Sequence, residues 1–204
     1  MIINLHERKD RRRTMMRQLS AVGGRGQFFP ATRPVDSGLF TSRGMHGSFL
    51  SHLGVISEAA SADESVLILE DDCNFFPEAR DYPVPECDIF YGSHSEDADM
   101  MIGAHCMGFS AKAVGLLNAY LLEYLRPEFT PDAKAAQEEG FNPGVRPPID
   151  GAYVWFRRRH PELVTKFALL TYQRRSRSDC TPANFYDRIP VIKDIAEAFR
   201  RAIN

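Results

Sequence analysis

The chain has 204 residues, enough for one compact domain with a substantial core. Hydrophobic residues make up 44% and charged residues 25%, a balance that argues against extensive disorder. With 25 basic and 27 acidic side chains the formal net charge is -2, so nothing at whole-chain level marks a nucleic-acid binder. No apolar stretch approaches the roughly 20 residues of a membrane-spanning helix. The opening Met1-Ile2-Ile3-Asn4-Leu5 runs into His6-Glu7-Arg8-Lys9-Asp10 without a positive leader or a long apolar segment. No signal peptide is expected, and a cytoplasmic location is. Attachment to the inner face of a membrane through a basic surface or a partner stays open. Cys73, Cys87, Cys106 and Cys180 are widely spaced, which suggests reduced structural thiols rather than a zinc site or a disulfide framework.

Strand and helix patterns alternate along the chain, which predicts an α/β sheet with helices on its faces. Met1 to Leu5 reads as a buried strand, Glu7 to Val22 as a helix stopped by Gly23-Gly24, and Gln27 to Ala31 as a second strand. A polar loop leads to Gly44. Ser48 to Ala60 has helical apolar spacing, and Val66 to Leu69 is the clearest strand. Asp88 to Tyr91 and Met101 to Phe109 read as strands around a polar loop, Gly92 to Met100. Ser110 is placed to cap a helix running to about Leu125. Arg126 to Pro148, rich in proline and glycine, reads as a long loop. A helix from Asp150 to His160, a strand from Lys166 to Tyr172 and a closing helix from Ile192 to Ile203 complete the pattern. There is no internal repeat and no boundary for a second domain, so residues 1–204 read as one unit.

The sharpest signal is Leu67-Ile68-Leu69-Glu70-Asp71-Asp72, an apolar strand that ends in acids. In open α/β sheets ligands bind at the carboxyl ends of strands. Adjacent carboxylates repel unless a cation or hydrogen bonds offset them, and oxygen donors suit Mg²⁺ or Mn²⁺. A solvated acidic turn is the plain structural alternative, and receiver domains and phosphatases also end strands in acids. Gly23-Gly24-Arg25-Gly26 follows a helix rather than a strand and so lacks the dinucleotide-binding context.

Several ordered segments together resemble glycosyltransferase family 25, the group of lipooligosaccharide and collagen galactosyltransferases. Ile3-Asn4-Leu5-His6-Glu7-Arg8-Lys9-Asp10-Arg11-Arg12 is similar to the family's opening I-N-L-x-x-R-x-D-R-R. Gly47-Ser48-Phe49-Leu50-Ser51-His52 is similar to G-C-x-x-S-H, with Ser48 in place of Cys, and Val66 to Asp72 to V-L-I-L-E-D-D. Gly103 to Ser110, Pro148-Ile149-Asp150 and Gln173 to Asp179 resemble its later signatures, in the same order. The resemblance implies a single GT-A-type, Rossmann-like domain with a mixed, mainly parallel sheet. It also implies metal-assisted, inverting transfer of a hexose, with galactose from a UDP-sugar the leading choice, to a saccharide or lipid-linked saccharide of a surface glycan such as lipopolysaccharide. A non-catalytic nucleotide-sugar or glycan-binding module on the same fold is the alternative.

Within that reading Asp72, with Glu70, is the expected ligand of Mn²⁺ or Mg²⁺, and Asp150 the expected general base. Asn4, Arg8, Arg11, Ser51, His52, Glu70, Asp71, Ser178 and Asp179 are the expected donor contacts. Asn4, Arg8 and Arg11 fall where a strand end meets a helix start, a position that favours anions. Each has a plain alternative: a solvated basic helix face for the arginines, a hydrogen-bonded structural histidine for His52, and an N-cap for Asp150. His105 is a weaker candidate. The runs Arg11-Arg12-Arg13 and Arg157-Arg158-Arg159 read as solvated faces, with steering of an anionic acceptor or contact with an acidic membrane as the other possibility. No nucleic-acid partner is expected.

Overall fold

The computed structural model describes residues 1–94, 103–131, 135–137, 142 and 144–174. The opening strand β1 (Ile2–Asn4) leads into helix α1 (Lys9–Ala21), which ends where Gly23 takes a positive φ of 68°, and then into β2 (Phe28–Pro30). Helix α2 (Arg43–Ala62) returns the chain to β3 (Val66–Glu70), and a short β4 (Cys73–Phe75) follows. Next come β5 (Ile89–Tyr91), β6 (Cys106–Phe109), α3 (Ala111–Tyr124), α4 (Ile149–Arg159), β7 (Thr165–Phe167) and β8 (Thr171–Gln173). The main sheet has six strands in the order β2-β1-β3-β6-β5-β7, and β4 and β8 form a separate antiparallel pair. Strands β1, β2, β3, β5 and β7 run one way, and β6 alone runs against its neighbours β3 and β5. The mixed, mainly parallel α/β sheet expected from the sequence is therefore present.

Alternation along the strands separates two apolar layers. Ile2, Leu69 and Cys106 face Met15 and Leu19 of α1 on one side. Ile3, Ile68 and Met107 face the other side, where α2, α3 and α4 deliver Phe49, Val55, Leu117, Tyr124, Trp155 and Phe156. Because β1 lies between β2 and β3, successive connections leave it in opposite directions. The crevice at the carboxyl ends of β1 and β3 is thus a topological switch point, the usual ligand position in such sheets. The chain before α4 is pinned by buried Arg146, whose guanidinium donates to the Tyr124 carbonyl at 3.1 Å and the Arg126 carbonyl at 3.0 Å. No helix among the described residues is long and apolar enough to cross a membrane.

Three expectations need correction. The strand expected over Lys166 to Tyr172 is two strands in different sheets: β7 pairs with β5, and β8 pairs with β4. The Ala168 amide still donates to the Tyr91 carbonyl, and Leu170 and Thr171 then both donate to the Gly92 carbonyl, which turns the chain out of the main sheet. Lys166 to Tyr172 contains no Gly, Pro, Asn, Asp or Ser to mark that turn. Helix α2 starts at Arg43 rather than Ser48, because the Ser42 hydroxyl accepts from the Met45 amide at 3.1 Å and nucleates the first turn. Strand β4 was not anticipated. The strand expected from Met101 is observed from Cys106. Residues 95–102, the helix expected over Ile192 to Ile203, and Cys180 lie outside the described residues.

The Ser42 cap gives a first test. Ser42→Ala should lower unfolding free energy by about 1 kcal/mol, while Ser42→Asp should hold it near wild type. Urea unfolding with an unchanged slope would read this directly.

Candidate functional site

A cleft of about 530 Å³ opens at the switch point, lined by Arg11, Ser51, Glu70, Asp71, Asp72, His105 and Asp150 among others. Each arrives for a local reason. Strand β3 ends at Glu70, so Asp71 and Asp72 turn into the crevice as the chain swings towards β4. His105 comes from the residue before β6, since an antiparallel strand brings its beginning, not its end, to this edge. The Glu70 amide donates to the His105 carbonyl at 3.0 Å. Asp150 sits in the first turn of α4, and Ser51 on α2.

Asp71 is the best satisfied of the acids. Its Oδ1 accepts from Arg11 at 2.8 Å and its Oδ2 from the Asn4 amide group at 2.7 Å, with all three residues buried. Arg11 also lies 3.3 Å from Asp72 Oδ2, and Gln173 Nε2 reaches the same carboxylate at 3.3–3.4 Å. Asn4 and Arg11 thus tie the end of β1 and the start of α1 to the acid turn. Arg8, by contrast, pairs with Asp10 at the surface and is not among the cleft-lining residues.

Glu70 is oriented from behind. His52 is fully buried, its Nδ1 2.9 Å from the Tyr153 hydroxyl and its Nε2 3.3 Å from Glu70 Oε1. An ionised Glu70 can only accept, so His52 Nε2 carries a proton towards it, and the Tyr153 hydroxyl holds the other ring nitrogen. Burial opposes ionisation of Glu70, but the His52 hydrogen bond and the nearby charges of His52, His105 and Arg11 outweigh it and hold its pKa below the ordinary range. The opposite holds for its neighbours. Burial and the Glu70 charge push Asp72 up to about 6, and the same two causes push Asp150 up to about 6. Carboxyl groups that titrate near neutrality in a cleft have the proton affinity that general acid-base work needs.

Of the residues expected from the sequence, Arg11, Ser51, Glu70, Asp71, Asp72 and Asp150 meet at this cleft, while Asn4 and His52 lie behind its wall. The Ser51 hydroxyl accepts from the Thr32 amide at 2.8 Å and donates to the Gly47 carbonyl at 2.6 Å, stapling the loop after β2 to α2. Gly47 permits that approach, since a Cβ there would stand 2.7 Å from the Thr32 carbonyl oxygen. Ser178 and Asp179 lie outside the described residues. Gln173, Tyr153, Arg33 and Arg43 were not anticipated. Only Gln173 had a sequence signal, as the first residue of the last motif.

Among the described residues no group of three or more His, Cys, Asp or Glu side chains is arranged to hold a metal ion. The described residues by themselves thus form no closed protein cage. That leaves the arrangement usual for Mg²⁺, in which one or two carboxylates share the ion with water and substrate phosphates. The donor chemistry fits such a site at Asp72, whose buried charge is only partly offset by Arg11 and Gln173. No protein-family model and no curated protein matches the sequence.

Two outcomes follow. Arg11→Met leaves Asp71 buried without its cation and should cost about 3–5 kcal/mol, against less than about 0.5 kcal/mol for exposed Arg13→Met. Because folding raises the Asp150 pKa from 3.8 to about 6, its contribution is intact only below 3.8 and is lost as pH rises from there through about 6. Asp150→Asn should therefore be more stable than wild type by about 1–3 kcal/mol at pH 8, with the difference vanishing by about pH 3 in urea titrations.

Proposed function

We propose that the protein is an inverting, metal-assisted glycosyltransferase of GT-A type that moves a hexose such as galactose from a UDP-sugar to a saccharide or lipid-linked saccharide acceptor. The observation that carries this reading is the meeting of Asp150, from the first turn of α4, with Glu70 and Asp72 at the strand-end crevice. The ordered motifs resembling glycosyltransferase family 25 support it independently. They include the residues that build this crevice.

In the proposed reaction an acceptor hydroxyl attacks C1 of the donor sugar from the face opposite the leaving nucleoside diphosphate, and the C1–oxygen bond to the diphosphate breaks. Asp150, unprotonated above pH 6, takes the hydroxyl proton. Asp72, with Glu70, would hold Mn²⁺ or Mg²⁺, which when bound offsets charge on the departing diphosphate. Arg11 keeps the acid turn in place from the other side, and His52 with Tyr153 keeps Glu70 aligned.

One observation favours a second reading. Both oxygens of Asp71 and those of Asp72 already accept hydrogen bonds or ion pairs within the protein, as suits a binding module without turnover.

Calorimetric titration with a panel of nucleotide sugars, with and without Mn²⁺, separates these readings. The enzyme reading expects Mn²⁺-dependent binding of one UDP-hexose with slow hydrolysis, and loss of that binding in Asp72→Ala. Asp150→Asn should lower turnover about 10²–10⁴-fold at unchanged donor affinity. Binding without hydrolysis or transfer selects a nucleotide-sugar-binding module, and a folded protein that binds no donor under either condition sinks the enzyme reading and leaves a glycan-binding module.

A further inference from the structure

Helix α1 is two-faced in charge as well as in polarity. Its inner face carries Arg11, Met15 and Leu19, which are buried. Its outer face carries Lys9, Arg13 and Arg17, spaced four residues apart and therefore stacked along one side, with Arg12 on the flank; all four are exposed. Arg25 adds another exposed cation in the turn that follows. The nearby acids are engaged elsewhere, Asp10 with Arg8 at 3.2 Å and Glu7 with Arg33 at 2.6 Å. Among the described residues Lys9, Arg13 and Arg17 have no ion-pair partner.

Like charges at that spacing destabilise an isolated helix, and an ordinary solvated face intersperses both signs. Here they concentrate on one helix of a chain whose net charge is -2. The other basic run offers no such surface. Arg157 lies over the rings of Tyr91 and Phe167 at 5.5–5.6 Å, and Arg159 pairs with Glu123 at 3.2 Å. Amid the cations of α1, Met16 is 56% exposed. Basic side chains around an outward apolar one suit a bilayer surface, where cations meet anionic headgroups and the apolar chain makes a shallow contact at the acyl boundary. A phosphodiester backbone would use the cations but leave Met16 without a role.

We propose that the outer face of α1 docks the protein on an anionic lipid bilayer. The proposal is independent of the chemistry assigned to the cleft. Lys9, Arg13 and Arg17 supply the attraction, which weakens with salt, and Met16 supplies a shallow apolar contact.

The test is co-sedimentation of the full chain with vesicles of phosphatidylcholine alone, and of phosphatidylcholine with phosphatidylglycerol. Wild type should pellet with the anionic vesicles at about 0.1 M salt and be released at about 1 M. Lys9→Ala/Arg13→Ala/Arg17→Ala should bind about a hundredfold more weakly, from about fivefold per cation. Met16→Ser, which leaves the charge unchanged, should also weaken binding. A control with the same change in charge elsewhere, Arg80→Ala/Lys112→Ala/Lys166→Ala, should bind like wild type. Absence of binding to anionic vesicles, equal loss in the control, or full binding by the α1 triple variant would each overturn the proposal. So would displacement from the vesicles by duplex DNA at equal phosphate concentration, which would assign the face to nucleic acid. If the triple variant does not fold, as judged by circular dichroism, Met16→Asp carries the same test with the same readings.

Discussion

The site depends on the buried pairing of Arg11 with Asp71. Three successive carboxylates at a strand end repel one another, and burying them is costly without compensation. Arg11 supplies a cation from the inner face of α1 and touches both Asp71 and Asp72, while Asn4 takes the remaining oxygen of Asp71. The arrangement works because β1 and β3 are parallel neighbours, with Ile3 level with Glu70. The strand end that carries Asn4 and the strand end that carries the acids are therefore side by side. Fold and charge compensation specify each other here.

Compensation at the centre of the cluster leaves its margins unbalanced. Asp71 is fully engaged and Glu70 is held ionised by His52, so the Glu70 charge falls on both Asp72 and Asp150. Those two carboxyls are the ones raised towards neutrality. Burial that costs stability at neutral pH is the same burial that gives a carboxyl its proton affinity, a trade often found where a site does chemistry. The buried Tyr153-His52-Glu70 chain keeps Glu70 from relaxing away from this arrangement.

Much of this was legible in the sequence because the signals are local. An apolar run ending in acids marks β3, helical spacing marks α2 and α3, and Ser110 caps α3 as its position suggests, accepting from the Ala113 amide at 3.2 Å. What was illegible depends on distant partners. Whether Thr165 to Gln173 forms one strand or two is decided by the Gly92 carbonyl, and β4 exists only because β8 pairs with it. Of the candidate residues, those that line the cleft and those that brace it look alike in one dimension. Asn4 and His52 share motifs with Arg11 and Ser51, yet their partners, Asp71 and Tyr153, are far away in sequence.

The antiparallel course of β6 also bears on how the chain reaches this structure. Strands β1, β2 and β3 form a contiguous parallel unit made from the first 70 residues. The outer edge of β3, the apolar Val66 to Leu69, finds its partner only when Cys106 to Phe109 is available. Contacts that close such long loops form late, and an unpaired apolar strand edge invites other chains. During synthesis β3 therefore passes through a vulnerable interval between the emergence of its own residues and those of β6. A nascent chain arrested in that interval presents a sticky sheet edge to its neighbours, and the cleft itself cannot close until Asp150 has followed.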